Sequence, residues 1–401
     1  MKRLIVVLAL ALTTVVTHAQ SVDRLATKLA EKGVITNTEA QELIAEAQKE
    51  KKNTEVKLPG WIQKMSINGD VRVRTQADHT DGDSTRIRER LRVRLGLETA
   101  LTDSIKAGIG IATGSTGNGN DKNPTSTNHT FQAFNKSPLY LDYAYLSYNP
   151  ADYFTLSAGK VKGKTALWNP TDLVWDTDIN PDGGAVNLSK KINKIELFAN
   201  AGFYVLNEQA SSSSGMPAVY IAQPGVSYKN GGFSVKGAVA YEYFSLKGKV
   251  VGSNDNNYLN GNNPNASDYE ILNPSLEIKQ KNLLLGYTGS LFADYVENLN
   301  SKVYSGERSA YSYGLTFGDE KTAGFGTWNV KAMYRRLEPN ATPTGLGDSD
   351  AYGGKSGKGV EVILTAGLLK NLDLGFDYYN MTDIKGKDRK QLYQLDFTYK
   401  F

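Results

Sequence analysis

Hydrophobic and polar residues alternate with a period of two along most of the chain, and the stretch Arg86 to Glu98 shows the alternation most clearly. In an extended strand, successive side chains point to opposite faces. One face of this strand would carry Arg86, Arg88, Arg90, Arg92 and Arg94. The other face would carry Ile87, Leu91, Val93, Leu95 and Leu97. A helix would scatter both kinds of residue around its circumference, so the pattern predicts a strand with one charged and one apolar face.

Segments of this kind recur from Trp61 to the end of the chain, joined alternately by tight turns and long polar loops. The predicted strands are residues 66–76, 86–98, 104–114, 139–148, 153–161, 185–190, 194–206, 218–228, 233–245, 269–279, 283–297, 310–318, 327–337, 359–369, 372–382 and 390–401. An even number of about sixteen strands, with the short turns on the side of both termini, predicts an all-β transmembrane antiparallel barrel. A soluble sandwich could also bury the apolar faces, but lipid outside and water inside account for both faces at once.

The N-terminus is typical of an export signal. Met1-Lys2-Arg3 is followed by the apolar residues Leu4 to Leu12 and by Thr17-His18-Ala19, which has small residues where a signal peptidase reads them. We therefore predict a signal peptide over residues 1–19 and a mature protein that lies beyond the inner membrane of a bacterium.

Residues 20–58 are predicted to form a helical hairpin and a polar linker ahead of a barrel that occupies residues 59–401. Gly33 ends the first helix of this hairpin, and Thr36 with Glu39 forms a capping box at the start of the second. The sequence predicts no other helical segment.

Composition narrows the functional classes. The chain has 401 residues with 23 tyrosines, 39 glycines and no cysteine, which excludes disulfides, thiol catalysis and thiolate metal sites. Its net charge of +4 gives no reason to expect nucleic-acid binding. No Ser, His and Asp motif indicates a nucleophile, so we expect no enzyme, cofactor or metal, although an outer-membrane protease or lipase stays open.

The last strand carries the most specific signal of location. Aromatic and apolar residues alternate with polar ones up to the final residue. The pattern resembles the C-terminal signature by which outer-membrane proteins reach their insertion machinery, and Phe397, Tyr399 and Phe401 are its predicted members. A soluble edge strand of this kind would leave a row of exposed aromatics that favours aggregation.

Residues 67–74, residues 172–183 and the terminal strand also carry a resemblance to a known family. From Trp61 to Phe401 the sequence resembles the general porins of the bacterial outer membrane, in the sixteen-stranded class, and most of all the group named putative porins. The resemblance implies a water-filled channel for passive diffusion of ions and small hydrophilic solutes. It also implies a homotrimer in outer-membrane lipid, inserted by the barrel-assembly machinery and working without a cofactor.

The same resemblance implies a site. In such porins the loop after the fifth strand folds inward, which makes residues 162–184 the expected constriction loop. Its acids are Asp172, Asp176, Asp178 and Asp182. We name the expected pore-lining residues the arginine ladder: Arg72, Arg74, Arg86, Arg88, Arg90, Arg92 and Arg94. Acids opposite this ladder would create a transverse field, and the density of arginines predicts a mild anion preference.

Three other interpretations stay open. The channel could be selective for one solute, such as phosphate, another anion or a sugar, because arginine forks match phosphate. The barrel could instead be a structural or adhesive protein with a closed pore. The loop acids could bind calcium, although their spacing does not match a calcium-binding loop of twelve residues.

Overall fold

The computed structural model describes residues 25–54, 59–114, 125–134, 136–206, 215–246, 268–301, 306–343 and 345–401, without the side chains of 47–54. The predicted signal peptide, residues 1–19, lies outside the described residues. Contacts divide the chain into two units, one ending at Gln63 and the other running from Lys64 to Phe401.

The first unit is helical. Helix α1 includes residues 25–31, and helices α2 and α3 span Asn37–Thr54 and Gly60–Gln63. The predicted capping box is confirmed, because the Thr36 backbone N–H donates to Glu39 Oε2 at 2.7 Å and the Glu39 N–H donates to Thr36 Oγ1 at 3.2 Å. Gly33, at a φ of +70°, ends the preceding helix.

None of the described helices combines the length and the apolar character needed to cross a membrane.

The second unit is one closed antiparallel sheet. Its strands are β1 (Ser66–Thr80), β2 (Arg86–Ala100), β3 (Ile105–Thr113), β4 (His129–Thr130), β5 (Leu139–Ala151), β6 (Phe154–Lys160), β7 (Asp182–Ile192), β8 (Ile195–Val205), β9 (Ala218–Asn230), β10 (Phe233–Ser245), β11 (Tyr269–Leu284), β12 (Tyr287–Asn298), β13 (Ser309–Gly318), β14 (Trp328–Leu337), β15 (Gly357–Leu369), β16 (Leu372–Thr382) and β17 (Arg389–Lys400). Each long strand pairs with its neighbours, and β17 pairs with β1. The two-residue β4 pairs only with β2, so sixteen long strands form the wall, as predicted.

Strand pairing closes the barrel at a seam between the two ends of the sheet. Asp70 lies opposite Lys400 and Thr80 lies opposite Lys390. Beyond the last paired residue, the N–H of Phe401 donates to the carbonyl of Gly69 at 3.1 Å, and the reverse bond measures 3.0 Å. The end of the seam where Phe401 meets Gly69 lies on the side of the barrel that carries the tight turns, such as residues 231–232 and 370–371.

One predicted turn is wrong. We expected a break between residues 279 and 283, whereas β11 continues to Leu284 and the tight turn follows at residues 285–286. The pairing of β11 with β12 shifts between Gln280 and Leu284, and Asn282 has a φ of +51°. A polar break in the alternation marks a bulge as readily as a turn, because both interrupt the period of two.

Two long connections fold into the barrel. The first inward loop, residues 161–181, joins β6 to β7 and contains helix α4 (Gly163–Ala166). The second inward loop, residues 338–356, joins β14 to β15 and contains a 3₁₀ turn (Tyr352–Gly354). Residues of both loops pack in one apolar cluster with inward-facing residues of β8 to β14, so much of the lumen is filled.

Candidate functional site

The arginine ladder lies on two adjacent strands. In the register of β1 with β2, Arg72 is opposite Arg92 and Arg74 is opposite Arg90. Arg74 and Arg90 are buried, whereas Val71 and Val73, which alternate with them, are exposed. Like charges directly opposite one another are destabilising, so this arrangement requires counter-charges close by.

Carboxylates of the barrel wall supply most of the counter-charges. Arg74 binds Asp396 through two parallel bonds, at 2.7 Å from Nε and 2.6 Å from Nη2. Asp70 accepts from Arg92 Nε at 2.8 Å and from Arg94 Nε at 2.7 Å. Paired bonds of this geometry are among the stronger interactions of a guanidinium group. The ladder is therefore part of a network of ion pairs that crosses the seam.

The other ladder arginines differ in their partners. Arg88 binds Asp78 at 2.7 Å. Arg72 lies 3.4 Å from Asp396 and donates to Asn128 at 2.6 Å. Arg90 donates to two neutral groups, Gln76 Oε1 at 2.9 Å and Ser126 Oγ at 3.5 Å. Arg86 is exposed at the end of β2 that is close to the long loops.

The sequence analysis did not predict that wall carboxylates would be the ion-pair partners of the ladder. The period of two places Asp70 on the inward face with Arg72 and Arg74, and it extends to Asp78 in the same phase. Asp396 is in phase within the terminal strand, but its partner Arg74 is 322 residues away. Only the register of the seam brings these two side chains together.

The four acids predicted for the constriction loop lie in different surroundings and have different partners. Asp178 accepts from Arg94 Nη1 at 3.3 Å and from Thr127 Oγ1 at 3.2 Å. Asp182 is the first residue of β7, not a loop residue, and lies 3.2 Å from Lys160 Nζ. Among these four acids, Asp178 is the one that forms an ion pair with the ladder.

The other two acids meet the second inward loop. Asp176 Oδ2 accepts the backbone N–H of Ser349 at 3.3 Å, and its Oδ1 accepts the N–H of Asp178 at 2.8 Å. The carbonyl of Asp172 accepts the N–H of Asp348 at 3.0 Å. In the part of the chain that the structure describes, no group of three or more His, Asp or Glu side chains is placed to hold a metal ion.

Burial changes the charge of these loop acids. It raises the pKa of Asp176 to about 9, with further contributions from the nearby carboxylates of Asp178 and Asp348. Burial also raises the pKa of Asp172, against the opposing effect of Lys331. Asp176 therefore carries a proton near pH 7, and the loop brings less negative charge to the lumen than its sequence suggests.

Side chains of the wall hold the first inward loop in place. Trp175 Nε1 donates to Glu242 Oε2 of β10 at 2.6 Å. The N–H of Thr171 donates to Asp294 Oδ2 of β12 at 3.1 Å, and the Thr171 hydroxyl donates to the same oxygen. Gln223 of β9 bonds both the N–H and the carbonyl of Trp168, each at 2.8 Å. These inward polar residues face a loop and not open water.

Three polar cavities follow one another beside the ladder. A lower cavity of about 480 Å³ lies at the end with the tight turns. A middle cavity of about 160 Å³ shares Arg92, Thr177 and Asp178 with it. An upper cavity of about 390 Å³, toward the long loops, shares Ser349 and Asp350 with the middle one. The middle cavity is the smallest of the three, and ladder residues line all of them.

Comparison with known proteins identifies the family. The family model described as "Putative porin" matches residues 30–87, 78–285 and 276–401. No curated protein matches the chain.

Two solved structures share the fold. OprB of Pseudomonas putida, in its high-pH structure, is similar at 12% identity over 85% of this chain and 95% of that one, with a TM-score of 0.54. OmpF of Salmonella typhi, in complex with daunomycin, is similar at 11% identity over 85% of this chain and 99% of that one, with a TM-score of 0.50. Identities this low show the fold alone. The match to the family model over nearly the whole chain, together with the closed barrel of sixteen long strands, shows that the protein belongs to the putative porin family of outer-membrane channels.

Proposed function

We propose that the protein is a water-filled channel through which ions and small hydrophilic solutes diffuse passively across the outer membrane. The series of three polar cavities along the arginine ladder is the observation that carries this proposal. The route passes between the ladder and the two inward loops, and the middle cavity is its constriction. Charged residues at such a constriction select permeating ions by sign, whereas its width selects them by size.

We further propose a mild anion preference. The wall carboxylates neutralise much of the positive charge of the ladder. The anion preference therefore depends on the charges that remain unbalanced. Arg90 bonds neutral groups, and the raised pKa of Asp176 removes a negative charge near neutral pH. This mechanism differs from a simple opposition of loop acids and arginines, because most ladder arginines have wall partners.

We also propose how the chain is exported and assembled in the outer membrane. The exposed aromatic side chains of Phe397, Tyr399 and Phe401 lie on the outer surface, consistent with a role as the signal for the barrel-assembly machinery. The export signal over residues 1–19 would direct the chain to that machinery. By analogy with general porins we propose a homotrimer in outer-membrane lipid.

Single-channel recording in a planar bilayer tests the proposal. Purified, folded protein should give stable conductance steps with a reversal potential on the anion side in a salt gradient. Arg72→Gln should move that potential toward cations, because Arg72 lines the middle cavity and bonds the neutral Asn128, and Asp396 keeps its paired bonds to Arg74 when Arg72 is lost. Arg389→Gln is the matched control, because Arg389 is an exposed arginine that also bonds a neutral group, Asn380.

The other outcomes separate the alternatives. Folded protein without conductance would overturn the channel and favour a structural or adhesive barrel with a closed pore. Saturable block of the current by phosphate or by a sugar would instead indicate a channel selective for that solute.

A further inference from the structure

The second inward loop, residues 338–356, is built into the lumen. Ala341, Leu346 and Ala351 are buried. Ala341 and Leu346 belong to the same apolar cluster as Leu173 and Trp175 of the first inward loop. A loop that exposed these residues to solvent on the cell surface would lose this burial, so its inward position is favoured by the hydrophobic effect.

Backbone bonds join the two inward loops. The N–H of Asp176 donates to the carbonyl of Leu346 at 2.7 Å, and the N–H of Asp348 donates to the carbonyl of Asp172 at 3.0 Å. Gly347 lies between these bonds, where a Cβ atom would be only 2.8 Å from the carbonyl oxygen of Leu173. Glycine thus permits a close approach that fixes the second loop against the first.

This contact brings one carboxylate of the second loop to the ladder. Asp350 lies 3.2 Å from Arg74 Nη1. It also lines both the middle and the upper cavity, so it stands where the two meet. Its side chain keeps 25% of its surface exposed, which leaves it in contact with the solution in these cavities.

The pKa of Asp350 shifts in the opposite direction to the pKa values of Asp172, Asp176 and Asp348. Burial opposes its ionisation, but Arg74, a hydrogen bond from Gln394 and the more distant Arg90 together hold the pKa of Asp350 below its usual value. Burial and the charge of Asp350 raise the pKa of the neighbouring Asp348 well above its usual value. Asp350 is therefore ionised at neutral pH, whereas the neighbouring Asp348 is harder to ionise than a free carboxyl group.

We propose that the second inward loop is a constriction element in its own right and that Asp350 is a specificity-determining residue of the channel. This inference rests on the proposed channel function and adds to it a second loop. Asp350 offsets the positive charge of Arg74 and Arg90 at the junction of the middle and upper cavities. It thereby limits the anion preference that the ladder would otherwise impose.

The test is the reversal potential of Asp350→Asn in the planar bilayer. Loss of one fixed negative charge at the constriction should raise the anion-to-cation permeability ratio about two-fold or more. Asp388→Asn, in the exposed loop between β16 and β17, removes a carboxylate that lines none of the three cavities and should leave the ratio unchanged. An unchanged ratio in a conducting Asp350→Asn channel would overturn the inference.

A second variant keeps the inference testable if Asp350→Asn does not fold. Ser349→Cys leaves Asp350 in place and, because the chain has no cysteine, offers a unique thiol at the same junction. A cationic thiol reagent should raise the anion preference of the open channel, and an anionic one should lower it. If neither reagent alters selectivity or current although the thiol has reacted, the second loop does not border the permeation path. Absence of any current from the folded wild type would instead overturn the proposed function itself.

Discussion

At the scale of single residues, the ladder is held by acids of its own two strands and of β17 across the seam. Asp70 bridges two guanidinium groups, and Asp396 binds Arg74 through both of its oxygens. Burying Arg74 without such a partner would be strongly unfavourable, because a charge taken out of water needs a counter-charge and hydrogen bonds. The buried Arg90 has hydrogen bonds to neutral groups and only more distant carboxylates, such as Asp350. The dense run of arginines therefore stabilises the seam and also contributes to the electrostatic field of the barrel.

We expect Asp176 to make the proposed ion selectivity depend on pH. Its pKa is raised to about 9, so the side chain is neutral below that value and becomes negative as the pH rises through it. We expect the reversal potential to move toward cations between pH 7 and pH 10. Lysines and tyrosines also titrate at the upper end of this range, so the decisive comparison is with Asp176→Asn. The shift of the wild type should exceed that of the variant, and equal shifts would contradict the assignment.

At the scale of elements, the first inward loop depends on three side-chain attachments to wall strands. Trp175 with Glu242, Thr171 with Asp294 and Trp168 with Gln223 connect it to β10, β12 and β9. Their partners lie far apart in sequence, at separations of 67, 123 and 55 residues. These bonds fix one side of the loop to the wall that packs the apolar cluster, while Asp178 binds Arg94 of β2 on the other side.

Trp175→Phe should loosen this loop. The change removes the indole donor and leaves Glu242, which is fully buried, without its hydrogen bond, at a cost of about 1–3 kcal/mol. We expect noisier current with a larger mean conductance, measured in single channels. Trp328→Phe is the control, because it also removes an indole bond, to Tyr287, but lies near a tight turn. Identical noise in the wild type and the Trp175 variant would show that the attachment does not restrain the loop.

The sequence predicted the first loop only through a resemblance, and it did not predict the second. Strands were predictable because a period of two is a local property that each segment displays by itself. The second loop was interpreted as one more polar external loop, since Gly345 to Ala351 contains acids, serine and glycine in the usual proportions of a loop. Its inward position depends on contacts with Asp172 and Asp176, which no local pattern encodes.

At the scale of the whole molecule, the seam makes the barrel a ring without a free edge. Residues near 70 pair with residues near 400, so closure requires both ends of the sheet. Closed sheets avoid the unpaired edges that would otherwise recruit other chains. The sequence predicted the even number of strands and the position of both termini on the side of the short turns. It did not predict which residues pair across the seam.

Phe401→Ala tests the terminal aromatic as an assembly signal. The substitution keeps the backbone bonds between residue 401 and Gly69, so it removes only the side chain. We expect less folded barrel in the outer membrane, measured by heat-modifiable migration of membrane fractions. Phe376→Ala is the control, because Phe376 is exposed on β16 to a similar extent, 42% against 46%. Equal losses from both variants would indicate a general effect of outer-surface aromatics.

The three cavities have a further consequence when the channel is treated as an electrical circuit. Resistances in series add, so in the proposed channel the segment with the smallest cross-section dominates the total resistance to current, and we take the middle cavity, about 160 Å³, to be that segment. Substitutions that widen only the lower cavity of about 480 Å³ would then leave the conductance nearly unchanged. In the proposed channel, the residues of both outer cavities could therefore change, and with them the solutes that are bound, at little cost to the current.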